Sequence, residues 1–258
     1  MWLASGESQA LVVLTPGAAK RLIARGVACL PNVKRAKEHG LIVVGLGTTN
    51  AYVLEELTGK EVEKERYCAG YISKELRVLP PEKRETMIVL ERGEPKNLAW
   101  SEILARLSAG DVVIKGGNAL DPEGTVGVLV AGEDGGTVGK FYAAALARGA
   151  DIVIPISRIK SIHTPVSELC QRLGKGKLLW ASGFKVGLFP LLGHVVTETE
   201  AVEILYGISA EHVASSGVGL GAGAVTLLLS GSREKVETAF REISELARAE
   251  PELHWEEE

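Results

Sequence analysis

The feature that most constrains this chain is a buried-strand pattern that runs directly into a glycine-rich loop and then a helix pattern. Leu41–Val44 is a run of four apolar residues, residues 45–50 read Gly-Leu-Gly-Thr-Thr-Asn, and residues 51–57 suit a helix. Four consecutive apolar residues fit a strand that is covered on both faces, as in parallel sheets. The unit therefore predicts an α/β fold in which strands alternate with helices.

The same alternation continues along the chain. Apolar strand patterns stand at residues 111–115, 126–131 and 151–156, and helix patterns stand at residues 99–108 and 137–148. Consecutive strand–helix pairs favour a parallel sheet, because right-handed crossovers place each helix on a face of the sheet. We therefore expect a doubly wound, mostly parallel sheet, similar to a Rossmann fold.

Two regions depart from this alternation. Residues 60–96 are rich in charge and carry two strand-like pieces, so we expect a β excursion or lid there. Two further strand–helix pairs predict a small C-terminal α+β lobe at residues 193–250. The expected organisation is an anion-binding α/β domain over residues 1–192, then this lobe, then a frayed acidic tail at residues 251–258.

Composition argues against several classes of protein. Hydrophobic residues make up 46% of the 258 positions, which is enough for a core without metal or disulfide support. The net charge of −4 disfavours nucleic-acid binding. Cys29, Cys68 and Cys170 are widely spaced and odd in number, so we expect reduced thiols in a cytoplasmic protein. The patterns of a signal peptide, a membrane span and a metal site are missing, and we expect no cofactor.

The glycine-rich loop after the first strand pattern has the composition of an anion cradle. Gly45 and Gly47 let the backbone turn sharply and approach a ligand closely. The N–H groups at the start of the following helix favour an anion, and the hydroxyls of Thr48 and Thr49 add donors. The alternative is a plain tight turn in which Asn50 caps the helix.

A second glycine-containing loop follows the strand pattern at residues 111–115. It brings Lys115, Asn118 and Asp121 to the edge where open α/β sheets bind ligands. Asp121 is a candidate general base or a ligand of a sugar hydroxyl. An Asp-Pro turn in which Asp121 caps the backbone is the equally balanced alternative.

Two later segments add candidate anion ligands. Residues 135–137 read Gly-Gly-Thr at a helix start, with Lys140 one turn further, and repeat the logic of the first loop. The alternative is a loop with Lys140 in solvent. Arg158 and Lys160 follow the strand pattern at residues 151–156 and are candidates for a phosphate clamp, a surface turn being the alternative.

In their order, these loops resemble the superfamily of ribose-5-phosphate isomerase A, glucosamine-6-phosphate deaminase and coenzyme A transferase. The type A isomerases have a G-x-G-T-G-S-T loop, where this chain has G-L-G-T-T-N-A at residues 45–51. Their G-A-D-E-x-D loop corresponds to G-G-N-A-L-D at residues 116–121, and their K-G-G-G-G-A-x-x-R-E-K segment corresponds to G-G-T-V-G-K at residues 135–140. The resemblance covers residues 11–165 and implies the same sheet architecture.

The resemblance also implies roles for single residues. Gly139 stands where the isomerases have their catalytic glutamate, and Asn118 stands where they have the first acid of the second loop. Asp121 therefore keeps the remaining carboxylate and is implied to be the acid or base, with Lys115 or Lys160 stabilising charge.

We therefore expect a pocket for a small phosphorylated metabolite, such as a sugar phosphate, with isomerase-like or transferase-like chemistry. The alternative is a non-catalytic ligand sensor, or a regulatory or assembly subunit, that keeps the anion site. Residues 60–96 are a candidate surface for a homo-oligomer. Both hypotheses require the loops at residues 45–50 and 135–140 to meet at one edge of the sheet.

The candidate catalytic residues are Asp121, Lys115 and Glu133, the last as the counterpart of the nucleophilic glutamate of the transferases. The expected ligand-binding residues are Gly45, Gly47, Thr48, Thr49, Asn50, Gly116, Gly117, Asn118, Gly135, Gly136, Thr137, Lys140 and Lys160.

Overall fold

The computed structural model of the protein describes residues 7–253. Its α-helices are α1 Pro16–Cys29, α2 Pro31–His39, α3 Thr48–Thr58, α4 Trp100–Arg106, α5 Gly136–Arg148, α6 Val166–Arg172, α7 Glu198–Tyr206 and α8 Arg233–Ala249. Its strands are β1 Glu7–Leu14, β2 Leu41–Val44, β3 Gly70–Ile72, β4 Leu76–Val78, β5 Ile88–Glu91, β6 Glu94–Lys96, β7 Val112–Ile114, β8 Ala119–Leu120, β9 Val126–Val130, β10 Asp151–Pro155, β11 Gly187–Leu191, β12 His194–Val196, β13 Ser209–Ser216 and β14 Ala224–Ser232. None of the helices in this range is both long and apolar enough to span a bilayer.

A six-stranded mixed sheet lies at the centre, with strand order β12-β10-β7-β2-β5-β6. The first four of these strands are parallel, whereas β5 runs antiparallel to β2 and β6 runs antiparallel to β5. The protein is therefore a mixed α/β structure whose sheet is partly parallel. Because the four parallel strands share one direction, their carboxyl ends meet at one edge of the sheet.

Both faces of this sheet are covered, which explains the run of apolar residues in β2. Ile42 and Val44 belong to one hydrophobic cluster, which includes α1, α3, α7 and α8. Leu41 and Val43 belong to a second cluster, which includes residues of α4 and α5. Successive side chains of a strand point to opposite faces, so each face needs its own apolar set.

Helix α1 begins where its sequence indicates. Thr15 is the N-cap, its side chain accepts the backbone N–H of Ala18, and Pro16 occupies the first helical position. Proline is suited to that position because its missing N–H would have no intrahelical acceptor. The helix continues through Gly26 and ends at Cys29.

The strand pattern at residues 126–131 does not join the central sheet, contrary to our expectation. β9 pairs antiparallel with β8 and with β11 in a separate three-stranded sheet. The reason is the short connection between β8 and β9, in which the amide of Asp121 donates to the carbonyl of Thr125. A parallel pairing needs a crossover of about a dozen residues or more, whereas a tight turn produces a hairpin.

The strand pairing also differs from the expected division at residue 193. β12 pairs with β10 in the central sheet. β1, near the start of the chain, pairs antiparallel with β14 over eight residues, and β13 completes this three-stranded sheet. Elements from both sides of residue 193 therefore share sheets and one hydrophobic cluster.

Gly26 marks the close packing of α1 against α7. A Cβ atom at this position would lie 2.8 Å from the Cβ of Ala201 and 2.9 Å from its Cα. Backbone at that distance cannot give way without moving the helix. The glycine is therefore needed for helix approach, although glycine lowers helix propensity.

We expect Gly26→Ala to lower the free energy of unfolding by about 1–3 kcal/mol, because the overpacking outweighs the gain in helix propensity. Gly176→Ala is the matched control, since a Cβ at Gly176 has no neighbour within 4 Å. Its effect should stay within about 0.5 kcal/mol. Urea unfolding followed by circular dichroism measures both, and equal stability of the two variants would contradict the packing of α1 on α7.

Candidate anion-binding site

A cleft of about 170 Å³ lies at the carboxyl edge of the parallel strands. It is lined by residues 46–50 after β2, residues 115–118 after β7 and Lys160 after β10. The hairpin formed by β3 and β4 also lines it, together with Phe184 and Val186. A crevice outside the carboxyl ends of strands is the usual ligand site of open α/β sheets.

The start of α3 presents unpaired N–H donors to this cleft. Gly47 is the N-cap and offers no capping side chain, so Thr48, Thr49 and Asn50 form the first turn. The helix thus begins earlier than residue 51. Amides of a first turn have no intrahelical acceptor, and those of these three residues find none among the described residues. The helix dipole adds partial positive charge at the same place.

Two other helix N-termini are already neutralised by carboxylates of the protein. The carboxylate of Glu252 accepts the amide of Gly17 in α1 at 3.0 and 3.1 Å. The carboxylate of Asp134 accepts the amide of Gly136 in α5 at 2.9 Å. The first turn of α3 contains no acidic residue, so the partial positive charge of this helix N-terminus is available to a ligand.

Asn50 contributes an acceptor that lacks a donor. Its side chain is fully buried, and its Nδ2 donates to the carbonyl of Gly45 at 2.7 Å. Its Oδ1 has no hydrogen-bond partner within the described part of the chain. A buried acceptor without a donor costs about 1–3 kcal/mol, so native structures retain few of them. Because Asn50 lines the cleft, a hydroxyl or N–H group of a ligand could satisfy it.

Two lysine ammonium groups face the cleft with backbone carbonyls as their acceptors. The Nζ of Lys115 donates to the carbonyl of Gly116 at 3.0 Å. The Nζ of Lys160 donates to the carbonyl of Gly117 at 2.7 Å. The described residues that line the cleft include no Asp, Glu or His. The positive charge of the two lysines is therefore not balanced inside the cleft.

Burial lowers the pKa of Lys115 and that of Lys160 to about 8. The charges of Lys20 and Lys115 lower the pKa of Lys160 further. Lys20 on α1 lines an adjoining part of the cleft, and burial lowers its pKa as well. An anion that entered the cleft would favour the charged form of each lysine and would raise these pKa values.

Comparison of the chain with protein-family models, curated proteins and solved structures finds no significant match. The function proposed below is therefore argued from the geometry of the cleft. Within residues 7–253 no group of three or more His, Cys, Asp or Glu is arranged to hold a metal ion.

The structure brings most of the expected site residues together. Those that line the cleft are Gly47, Thr48, Thr49, Asn50, Lys115, Gly116, Gly117, Asn118 and Lys160. Gly45 lies next to them and has a different role from the expected one. A Cβ atom at Gly45 would lie 3.0 Å from Cδ of Lys115, so this glycine leaves room for the lysine side chain to pass.

Asp121 lies outside this group and holds the backbone. Its Oδ1 accepts the amides of Glu123 and Thr125 at 3.0 and 2.8 Å, and its Oδ2 accepts the amide of Val166 at 2.8 Å. The side chain is buried. Both oxygens are thus engaged in the turn between β8 and β9 and in the start of α6. The capping alternative describes Asp121 better than the general base does.

The third loop also lies apart from the cleft. Residues 135–140, which include Gly135, Gly136, Thr137 and Lys140, are not among the residues that line it. Contrary to our expectation, this loop therefore does not share the cleft with residues 46–50, and residues 115–118 and Lys160 take its place there. Lys140 lies 3.6 Å from the carboxylate of Asp134 at the surface. Glu133 pairs with Lys175 at 2.8 Å, and its side chain is 91% exposed. The physical reason is that Asp134 supplies an anion at the start of α5, where its carboxylate accepts the amide of Gly136.

Sequence reasoning missed a buried carboxylate near Lys160. Glu198 is fully buried at the start of α7, where it accepts hydrogen bonds from the Ser157 hydroxyl and, at 2.9 Å, from the amide of Arg158. Burial raises the pKa of Glu198, and its charge raises the pKa of Lys160. Glu198 follows closely after β12, a strand of the central sheet. The sequence pattern places that strand in the C-terminal lobe, so it does not indicate that Glu198 lies near the cleft.

Sequence reasoning also did not identify Cys68 and Lys20 as residues of the cleft and its adjoining part. Cys68 lines the cleft, donates to the carbonyl of Gly70 at 2.9 Å, and burial raises the pKa of its thiol. Neither Cys68 nor Lys20 belongs to a sequence motif, so no pattern pointed to them. The guanidinium of Arg158, a candidate phosphate clamp, binds residues outside the cleft, namely hydroxyls and the carboxylate of Glu200 on and before α7.

We expect Asp121→Asn to destabilise the protein by about 1–3 kcal/mol, because an amide nitrogen cannot accept the N–H groups that one carboxylate oxygen now accepts. Urea unfolding measures this loss. Anion binding by the folded variant should stay within about twofold of the unsubstituted protein. A variant with unchanged stability but no ligand binding would instead place Asp121 in the site.

Sulfate affinity should fall as the pH rises through about 8, because the lysines at that pKa lose the charge that attracts the anion. Sulfate is a suitable probe since its own charge is constant over this range. Isothermal titration calorimetry should show a loss of about tenfold between roughly pH 7 and pH 9.5. An affinity that stays constant up to about pH 10 would indicate lysines with ordinary pKa values.

Proposed function

We propose that the protein binds a small phosphorylated metabolite, such as a sugar phosphate, in this cleft. The observation that carries the proposal is the pairing of two lysines with a free helix N-terminus in one cleft that has no carboxylate among its described lining residues. Lysine and helix N-termini are both common phosphate ligands in proteins.

The charge of the cleft suits a dianion. A phosphate monoester carries about −1.5 to −2 at neutral pH. Lys115 and Lys160 supply up to two positive charges, and a helix N-terminus is equivalent to about +0.5. The three amides of the first turn of α3 offer donors to the phosphate oxygens. A ligand with a single carboxylate carries one negative charge and would therefore match only part of the positive charge of the cleft.

The rest of the lining suits the body of such a metabolite. The Oδ1 of Asn50 is an acceptor for a ligand hydroxyl. Ile72, Val78 and Phe184 line the cleft and are partly exposed, so they offer apolar contact beyond the lysines. Burial of such surface on ligand binding contributes roughly 25 cal/mol per Å².

A non-catalytic sensor is the second candidate, and the position of Asp121 favours it. The expected general base is engaged with three backbone amides, and the cleft lining described above has no other carboxylate. Acid–base chemistry in the cleft would fall to lysines whose pKa is near 8. A divergent member of the isomerase and transferase superfamily, with a doubly wound sheet, remains our hypothesis for its origin.

The test is binding and turnover with a panel of sugar phosphates, nucleotides and coenzyme A. We expect a phosphate monoester to raise the melting temperature, and Lys160→Met to weaken its binding by about tenfold or more. The same substitution should raise the free energy of unfolding of the unliganded protein by about 1–2 kcal/mol, because burial disfavours the ammonium form of Lys160.

Lys34→Met is the matched control, because Lys34 is exposed on α2. It should change neither the binding nor the stability by more than about 0.5 kcal/mol. Equal effects of the two substitutions, or no stabilisation by any phosphate ester, would contradict the proposal. Stabilisation without turnover of any ligand would favour the sensor over the enzyme.

A further inference from the structure

We propose that Lys115 is a nucleophile that forms an imine with an aldehyde or ketone bearing an anionic group, while Lys160 stays charged beside it. This inference rests on the proposed function, because the anionic group of the ligand would occupy the site described above. It goes further by naming a covalent step and the carbonyl compounds that undergo it.

The position of Lys115 suits a nucleophile. The residue directly follows β7, a central strand of the sheet, and its side chain passes over Gly45, where a Cβ atom would lie 3.0 Å from the Lys115 Cδ. The acceptor of its Nζ is the carbonyl of the neighbouring Gly116. A single hydrogen bond to a neutral acceptor leaves the amine easy to deprotonate, since no carboxylate holds the proton in place.

The surroundings of Lys115 favour the neutral amine. A lysine becomes nucleophilic when burial or a neighbouring cation disfavours its ammonium form. Lys115 meets the first of these conditions, because burial lowers its pKa. With a pKa of about 8, the neutral fraction at pH 7 is roughly 200 times that of an ordinary lysine.

Lys160 suits the complementary role. Its Nζ makes the shorter contact, 2.7 Å, to the carbonyl of Gly117, and the nearby charge of Glu198 favours its protonated form. The two lysines thus contact the carbonyls of consecutive residues, Gly116 and Gly117. One is placed to attack a carbonyl carbon while the other provides a proton and binds the anion.

The step balances with water as the only by-product. The neutral Nζ of Lys115 attacks the carbonyl carbon, a C–N bond forms, and the carbonyl electron pair moves to oxygen. The ammonium of Lys160 protonates that oxygen, and the nitrogen returns a proton to the amine of Lys160 as the carbinolamine forms, so that Lys160 regains its charge. Loss of the hydroxyl as water gives the protonated imine, with a net uptake of one proton.

Asn50 provides an independent indication of a ligand. Its Oδ1 is fully buried, has no donor, and lies 3.6 Å from the point where a Cβ of Gly116 would stand. It therefore lies beside the residue whose carbonyl accepts the Nζ of Lys115. The hydroxyl of a carbinolamine, or a ligand hydroxyl next to the carbonyl carbon, is the type of donor that it lacks.

Cys68 is the competing nucleophile in the cleft, and the structure disfavours it. Its thiol donates to the carbonyl of Gly70 and is buried, which raises the pKa of the thiol. The thiolate is the reactive form of cysteine, so a thiol held neutral reacts slowly. Lys115 is left as the better nucleophile.

The experiment is reductive trapping on the unsubstituted protein. Glyoxylate, a small aldehyde with a carboxylate, is incubated with the protein and sodium borohydride is then added. Peptide mass spectrometry should locate a carboxymethyl group on Lys115 at an occupancy at least about tenfold above that of the exposed Lys34 near pH 7. Inorganic phosphate should protect Lys115 but not Lys34, and the neutral propionaldehyde should label Lys115 several-fold less, about threefold or more.

Labelling of Lys115 no greater than that of Lys34, or preferential labelling of Lys20 or Lys160, would overturn the inference. Equal labelling of Lys115 by propionaldehyde would overturn the requirement for an anionic group. The two proposals fail in different ways. If phosphate esters bind and no adduct forms on Lys115, only the covalent step is lost, whereas the absence of any anion binding removes the proposed function itself.

Discussion

The site depends on two ammonium groups that the fold keeps in a half-buried cleft whose described lining residues include no carboxylate. Transfer of a charge out of water costs several kcal/mol after relaxation, and the carbonyls of Gly116 and Gly117 offset part of this cost. Parallel strands set both lysines at one edge, since β7 and β10 are neighbours in the sheet. The N-terminus of α3 lies in the same cleft and adds its partial positive charge to that of the two lysines.

The excess of positive charge is confined to the cleft and is not a property of the whole protein. The protein has a net charge of −4, and its carboxylates bind donors elsewhere, as Glu252 does at α1 and Asp134 does at α5. Like charges repel, so the net negative charge of the protein disfavours large polyanions more than small anions. The unpaired Oδ1 of Asn50 adds a requirement for a donor, which a bare inorganic anion does not meet in full.

Local patterns in the sequence predicted most helices and strands, because burial on both faces of β2 and the proline and glycine positions at helix ends are local signals. They also predicted ligand-binding loops at residues 45–50 and 115–118, which both line the cleft, and at residues 135–140, which do not. They did not predict the partner of β9, the pairing of β12 with β10, or the role of Asp121, since these depend on contacts distant in sequence. Lys20 and Cys68 reach the cleft from α1 and from the segment before β3, and no motif contains them.

The pairing of β1 with β14 has a consequence for how this protein is made. Residues 7–14 leave the ribosome early, yet their partner strand at residues 224–232 is synthesised more than two hundred residues later. Until then β1 exposes unpaired backbone groups and apolar side chains such as Leu14, which is fully buried in the finished fold. Such non-local pairing slows folding, and β1 can join its sheet only after β14 has been translated.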